Sequence, residues 1–100
     1  MIDVILKKPG QKAEIVAIEN SLEAMQKAVD GYIETVTVLP HLTVVCNEEG
    51  LLLDMPYNCE VFGMPFVGPV IIAGVDGDEF CSMPKELSQT VLASAFKEES

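Results

Sequence analysis

The residue types best suited to holding a ligand gather in one irregular stretch. Between Asp54 and Gly68, Tyr57, Phe62, Met64 and Phe66 stand among Pro56, Asn58, Gly63, Pro65 and Gly68. Tyr57-Asn58 sets a ring that can stack beside an amide that both donates and accepts. Met64 and Phe66 can complete an adaptable apolar pocket around them. Long irregular segments in small domains either carry function or cover a core. The competing reading is therefore a loop that plugs the end of its own sheet or meets a second subunit.

The same test gives little for catalysis. His41 is the sole histidine, and a general acid or base needs partners within hydrogen-bond reach; the sequence offers no triad, so a surface or structural histidine is expected. Cys46, Cys59 and Cys81 are an odd number at wide spacings. They form neither a disulfide framework nor a metal-binding pair and read as reduced, partly buried thiols. An activated thiolate needs nearby positive charge, which is scarce. Asp76-Gly77-Asp78-Glu79 resembles a fragment of a calcium loop, but its alternation of oxygen ligands stops after one step, so it reads as a solvated acidic turn. Gly74-Val75-Asp76-Gly77 lacks the lysine and helix start of a phosphate loop. Phosphate could rest on a helix N-terminus at Asn20-Ser21 or Ser82-Met83, with Lys85 nearby. No catalytic residue, metal set or cofactor fingerprint emerges, and none is expected.

Charge narrows the partners. The formal net charge is −10 and all six cations are lysines. Arginine supplies the planar fork that grips phosphate in two places, so its absence argues against a nucleic-acid surface. An anionic membrane would repel the chain, whereas a basic protein surface would attract it. The start Met1-Ile2-Asp3-Val4-Ile5-Leu6 lacks a signal-peptide pattern and no apolar run reaches the length of a membrane span. A cytosolic protein is expected. Apolar residues make up 49% of the chain, which for a 100-residue chain points to some surface closing against another copy.

The elements that must position these residues follow from periodicity, and they make one domain over residues 1–100. Ile2–Leu6 and Glu14–Ile18 flank Lys8-Pro9-Gly10-Gln11, whose proline and glycine suit a type II turn, so a hairpin is expected. Asn20 with Glu23 reads as a helix start. Leu22, Met25, Ala28 and Val29 form its apolar stripe, and Asp30-Gly31 ends it. Tyr32–Leu39 and Leu42–Cys46 read as strands around a Pro40-His41 turn. Asn47-Glu48-Glu49-Gly50 is turn chemistry, with Leu51–Leu53 as a returning strand. Val67–Val75 is nearly continuously apolar, as a doubly covered central strand would be. Phe80-Cys81 pairs briefly, and Ser82-Met83-Pro84 opens a final helix with Leu87, Val91, Leu92 and Ala95 inward and Lys97–Ser100 fraying. The expected fold is a small α+β domain: a mostly antiparallel sheet with two short helices, in the order β-β-α-β-β-β-β-α.

Pro9-Gly10, Asn20-Ser21-Leu22-Glu23-Ala24-Met25-Gln26, Gly31-Tyr32-Ile33-Glu34, Asn47-Glu48-Glu49-Gly50, Asn58, Val67-Gly68-Pro69 and Gly74 occur in an order that resembles the domain of unknown function 3846 family. That family comprises proteins of roughly a hundred residues from phages, prophages and conjugative elements. The likeness spans nearly the whole chain, and Gly31-Tyr32-Ile33-Glu34 is its most specific string. The chain departs from the family in its proline shortly after Ser82. Small proteins of such elements often disarm host defences. The resemblance brings context rather than chemistry; with the aromatic Tyr57-Asn58 stretch and the high apolar content, the expectation is a non-enzymatic, oligomeric binding protein that sequesters a small nucleotide-derived immune signal of cyclic or ADP-ribose type. The ligand would stack on Tyr57 or Tyr32, with Asn47 or Asn58 reading its polar edges, Phe66 in the pocket wall, and its phosphates on backbone amides and a lysine. The alternative is an acidic inhibitor or DNA mimic that blocks a basic host protein through Asp76, Asp78 and Glu79.

Overall fold

A computed structural model describes residues 1–94; Ala95 and the Lys97–Ser100 tail lie outside the described residues. The elements are β1 (Ile2–Lys7), β2 (Glu14–Ile18), α1 (Leu22–Val29), β3 (Ile33–Leu39), β4 (Leu42–Asn47), β5 (Tyr57–Val61), β6 (Met64–Val67), β7 (Val70–Asp76), β8 (Glu79–Cys81) and α2 (Lys85–Ser94). The fold is α+β, with the strands and helices in the expected succession. The main sheet runs β2-β1-β7-β4-β3, with β8 paired to β7, and every pairing is antiparallel.

β7 lies between β1 and β4, which explains its unbroken apolar sequence: Val70, Ile71, Ile72 and Ala73 are all fully buried. Alternate residues serve two separate cores. Val4, Val45, Ile71 and Ala73 meet Met25 and Val29 of α1 on one face. Ile5, Val44, Val70 and Ile72 meet Cys59, Val61 and Phe66 of the β5–β6 hairpin, and Val91 of α2, on the other. The sheet is therefore covered on both sides, and each fully buried aliphatic side chain contributes roughly 1.5–3 kcal/mol.

Several local expectations change. Asp54–Gly68 is not an irregular loop but holds the β5–β6 hairpin, closed by Phe62-Gly63, both at positive φ (49° and 85°); paired positive φ values make the turn whose twist matches that of hairpin strands. Leu51–Leu53 is not a returning strand. β4 already has β3 on one side and β7 on the other, so no edge is open to receive it. The segment instead coils, with Leu53 N–H donating to Glu49 C=O (2.8 Å) and Met55 N–H to Gly50 C=O (3.0 Å), and leaves Leu51, Leu52 and Leu53 exposed.

The helix ends also shift. Ser21, not Asn20, caps α1: its Oγ accepts from Ala24 N–H, while Asn20 reaches across to Phe80 C=O. Leu22, in the expected apolar stripe, is exposed. Asp30, not Gly31, takes the left-handed position (φ 63°). Gly31 is required for space, because a Cβ there would sit 2.7 Å from Asn47 Nδ2. Ser82 does not cap α2; its Oγ accepts from Asp3 N–H, and Met83 N–H donates to Asp3 C=O, so this segment is tied to β1. The Lys8–Gln11 turn closes as expected, with Gly10 at φ 74° and Gln11 N–H on Lys8 C=O.

Candidate functional site

The end of β1, its turn, the C-terminal end of α1 and the segments flanking the β5–β6 hairpin meet around a cleft of about 550 Å³, within the range of small-molecule sites. Lys8, Pro9 and Gln11 form one wall, Lys27 and Asp30 a second, and Met55, Pro56 and Pro69 a third. A shallower depression beside it is bounded by Gln26, Lys27, Asp30, Gly31 and Tyr32, so Lys27 and Asp30 belong to both. Two of the chain's six lysines thus face one cavity on a protein of net charge −10.

A helix C-terminus is a poor neighbour for an anion, because its free carbonyls carry partial negative charge. Here those carbonyls are engaged. Gly31 N–H donates to Gln26 C=O at 3.0 Å, and Asn47 Nδ2 donates to Val29 C=O (3.0 Å) and Asp30 C=O (3.2 Å). Lys27 in the last turn adds a positive charge. Together these make the helix end compatible with a negatively charged ligand.

The five residues expected at the site separate by role. Tyr32 and Tyr57 are exposed, at 66% and 55%; Tyr32 borders the shallow depression and Tyr57 directly follows Pro56 of the cleft. The asparagines lie behind the walls. Asn47 is buried, with both Nδ2 protons on the end of α1 and Oδ1 accepting from Glu49 N–H at 2.7 Å. Asn58, 1% exposed, donates from Nδ2 to Lys7 C=O (2.8 Å) and Gly68 C=O (2.7 Å) and accepts from Lys7 Nζ (3.0 Å). These amides fix the backbones that carry the cleft, so the structure gives them a positioning task in place of reading a ligand's edge. Phe66 is in the core under the sheet.

Lys8 and Lys27 were not singled out by sequence. The available signal was their place next to turn residues, Lys8 before Pro9-Gly10 and Lys27 three residues ahead of Asp30-Gly31. The helix N-termini weighed for phosphate have their hydroxyls committed, Ser21 to Ala24 and Ser82 to Asp3.

His41 occupies the left-handed position (φ 66°) of the β3–β4 turn. It borders a second depression with Asp78 and Glu79, so it shares no wall with the lysine cleft. Cys46, Cys59 and Cys81 form no disulfide with one another. Burial pushes the Cys46 thiol up to about 11, with the Glu34 carboxylate adding to the effect, and its Sγ–H faces Glu34 C=O. The folded state thus disfavours the thiolate: any stability linked to this group is fully present below the ordinary thiol value and falls as pH rises from about 9 through 11. Iodoacetamide at pH 8 should leave Cys46 unmodified in the folded protein and label it in urea, read by peptide mass; rapid labelling without denaturant would contradict this environment.

The family model described as Domain of unknown function (DUF3846) matches residues 2–96, and the chain belongs to that family. No curated protein and no solved structure matches it. Among the described residues no helix is long and apolar enough to cross a membrane, and no group of three or more His, Cys, Asp or Glu side chains is placed to hold a metal ion.

Proposed function

We propose that this DUF3846 member is a non-enzymatic binding protein whose cleft holds a small anionic ligand of the nucleotide class and sequesters it unchanged. The observation that carries this reading is the convergence of Lys8 and Lys27 on one cavity in a chain with so few cations. A local excess of positive charge inside an otherwise acidic surface selects an anion small enough to enter the cavity, since a larger polyanion would meet the surrounding carboxylates. Pro9, Met55, Pro56 and Pro69 supply apolar surface for a base or ribose, and the exposed rings of Tyr32, at the neighbouring depression, and Tyr57, next in sequence to Pro56, are the candidates to stack on it. In the mobile-element context to which the sequence resemblance points, the ligand is a cyclic-nucleotide or ADP-ribose-type immune signal kept from its receptor.

Thermal denaturation against mononucleotides, cyclic dinucleotides and ADP-ribose, with inorganic phosphate as a control, tests the reading. A compound present at a hundred times its dissociation constant adds about 2.7 kcal/mol, which raises the melting temperature of a domain this size by on the order of 10 °C. The bound compound should be recovered intact by chromatography. A flat panel, or recovery of a converted product, would overturn the proposal.

A further inference from the structure

The main sheet ends on β2 at one side and β3 at the other, and the two edges are guarded differently. β3 is bonded only to β4. Three contacts fix which of its backbone groups point inward: Tyr32 C=O accepts from Glu48 N–H (2.8 Å), Glu34 C=O from Cys46 Sγ (3.6 Å) and Val36 C=O from Thr43 Oγ1 (3.2 Å). Because inward and outward groups alternate along an antiparallel edge strand, Ile33, Thr35 and Thr37 present their N–H and C=O groups outward. The register is regular from Ile33 to Thr37, and its irregularity begins only beyond Thr37. Natural edges are commonly blocked by lysine, proline or a bulge; this stretch has none. β2 is different, because Glu14 and Glu19 bracket it. An antiparallel strand paired with its own copy sets its start beside the partner's end, so β2 would bring Glu14 near the partner's Glu19 twice. Like charges across a pair are destabilising, which protects β2 from self-pairing.

β3 has no such guard. Between Glu34 and Glu48 the sequence has no Asp, Glu, Lys or Arg, so in a chain of net charge −10 this edge lets two copies approach with little repulsion. We propose that β3 pairs antiparallel with β3 of a second copy about a two-fold axis at Val36, joining the two sheets into one. A two-fold contact needs a surface that matches itself, and β3 supplies one on both faces. In this register Thr35 and the partner's Thr37 exchange backbone bonds, and their hydroxyl side chains stand abreast, a favourable cross-strand pair. On the other face Val36 meets the partner's Val36. Val36 and Val38 are only partly buried where they pack against the core, so the second copy covers valines that one copy leaves half open. Charge sets the register. With the axis at Val36, Glu34 faces the partner's Val38 and lies four residues, about 14 Å, along the strand from the partner's Glu34, beyond the screening length of roughly 8–10 Å. An axis at Thr35 would place the two Glu34 residues on diagonal positions about 7–8 Å apart.

Sedimentation of the full chain over a concentration series should show a dimer. Thr35 and Thr37 are exposed, so Thr35→Lys combined with Thr37→Lys should leave the fold intact while setting lysine against lysine across the seam, and the dimer should be lost. Thr35→Glu combined with Thr37→Glu should be monomeric for the same reason. Mixing the two variants sets lysine against glutamate and should restore a dimer, which unfolded chains could not do. Cross-linking reads the register: Val36→Cys places two thiols on a close, non-hydrogen-bonded pair, where Cα atoms lie about 4.5 Å apart, within disulfide reach. Oxidation by copper phenanthroline should therefore give a covalent dimer from Val36→Cys and not from Thr35→Cys. Hydrogen exchange serves as a variant-free check, since the Thr35 and Thr37 amides should slow as concentration rises. A wild-type monomer throughout the series, a dimer that survives the paired lysines, or a mixture that stays monomeric would each overturn the proposal. Cross-linking through Thr35→Cys in place of Val36→Cys would overturn the register and the charge argument behind it.

Discussion

Replacing Asn58 with alanine should lower the melting temperature by more than 10 °C, the largest stability effect expected of a single polar substitution in this protein. The side chain is 1% exposed and joins β5 to β1 and to the turn between β6 and β7. Its Nδ2 holds the carbonyls of Lys7 and Gly68, and its Oδ1 takes a proton from Lys7 Nζ. Lys7 is itself buried at 8% exposure, and its remaining hydrogen-bond acceptor is Lys8 C=O at 3.0 Å. Among the described residues no carboxylate neutralises it. Truncation to alanine leaves two buried carbonyls without this donor and a buried ammonium with a single oxygen partner. Each orphaned buried group costs about 1–3 kcal/mol, more where charged, so a total of about 3–5 kcal/mol is expected. At roughly 4–8 °C per kcal/mol for a chain of this length, that is a shift easily read by circular dichroism. Asn58→Asp separates the terms: it gives Lys7 a carboxylate but withdraws both donors from the carbonyls, and should fall between wild type and alanine. A loss below about 4 °C for the alanine variant would mean that water replaces the amide and the network is not what holds β1 to the β6–β7 turn.

Asn58 also shows where sequence reasoning reached and where it stopped. The sequence assigns this amide, in an aromatic-rich stretch, to a ligand's polar edge, but the same chemistry serves a ligand or the protein's own backbone, and only burial separates the two. Asn47 behaved the same way, because its partners Val29 and Asp30 lie across a helix end that periodicity does not place beside β4. The local elements were far more legible. β2, the Pro9-Gly10 turn, α1, and the β3–β4 and β7 strands follow from alternation and turn chemistry that act within a few residues. Leu51–Leu53 misled because three apolar residues after a turn have strand-like composition, and whether a strand forms depends on a free sheet edge elsewhere. Phe62-Gly63 carries no strong turn signal in sequence, because phenylalanine rarely takes positive φ. The cleft was illegible for a simple reason: Lys8 and Lys27 belong to different elements and converge only once the sheet has brought the β1–β2 turn beside the end of α1.

That convergence sets the other large prediction: the double charge reversal Lys8→Glu with Lys27→Glu should abolish the thermal shift given by whichever compound stabilises the wild type. Each ammonium that meets a phosphate forms a charge-assisted hydrogen bond worth about 1.5–3 kcal/mol, so losing both weakens binding by roughly a hundredfold or more, and repulsion from the new carboxylates adds to it. Both lysines are exposed, so substitution should change intrinsic stability by only about 0.5 kcal/mol, plus at most about 1 kcal/mol for removing Lys27 from the last turn of α1. The unliganded melting temperature therefore stays close to wild type, which keeps lost binding distinct from lost folding. Lys12→Glu is the necessary control. Lys12 is exposed and not among the residues that line the cleft, and its reversal adds half the same net negative charge, so it should leave most of the shift intact if local geometry governs binding. Tyr57→Ala in the same assay isolates stacking: a lost shift places the base against that ring, and a retained one leaves Tyr32 at the neighbouring depression as the stacking partner. If the double reversal keeps the full shift, the ligand sits elsewhere and the cleft loses its assigned role. If Lys12→Glu removes the shift as completely as the double reversal, binding follows overall charge and the two cleft lysines have no special part in it.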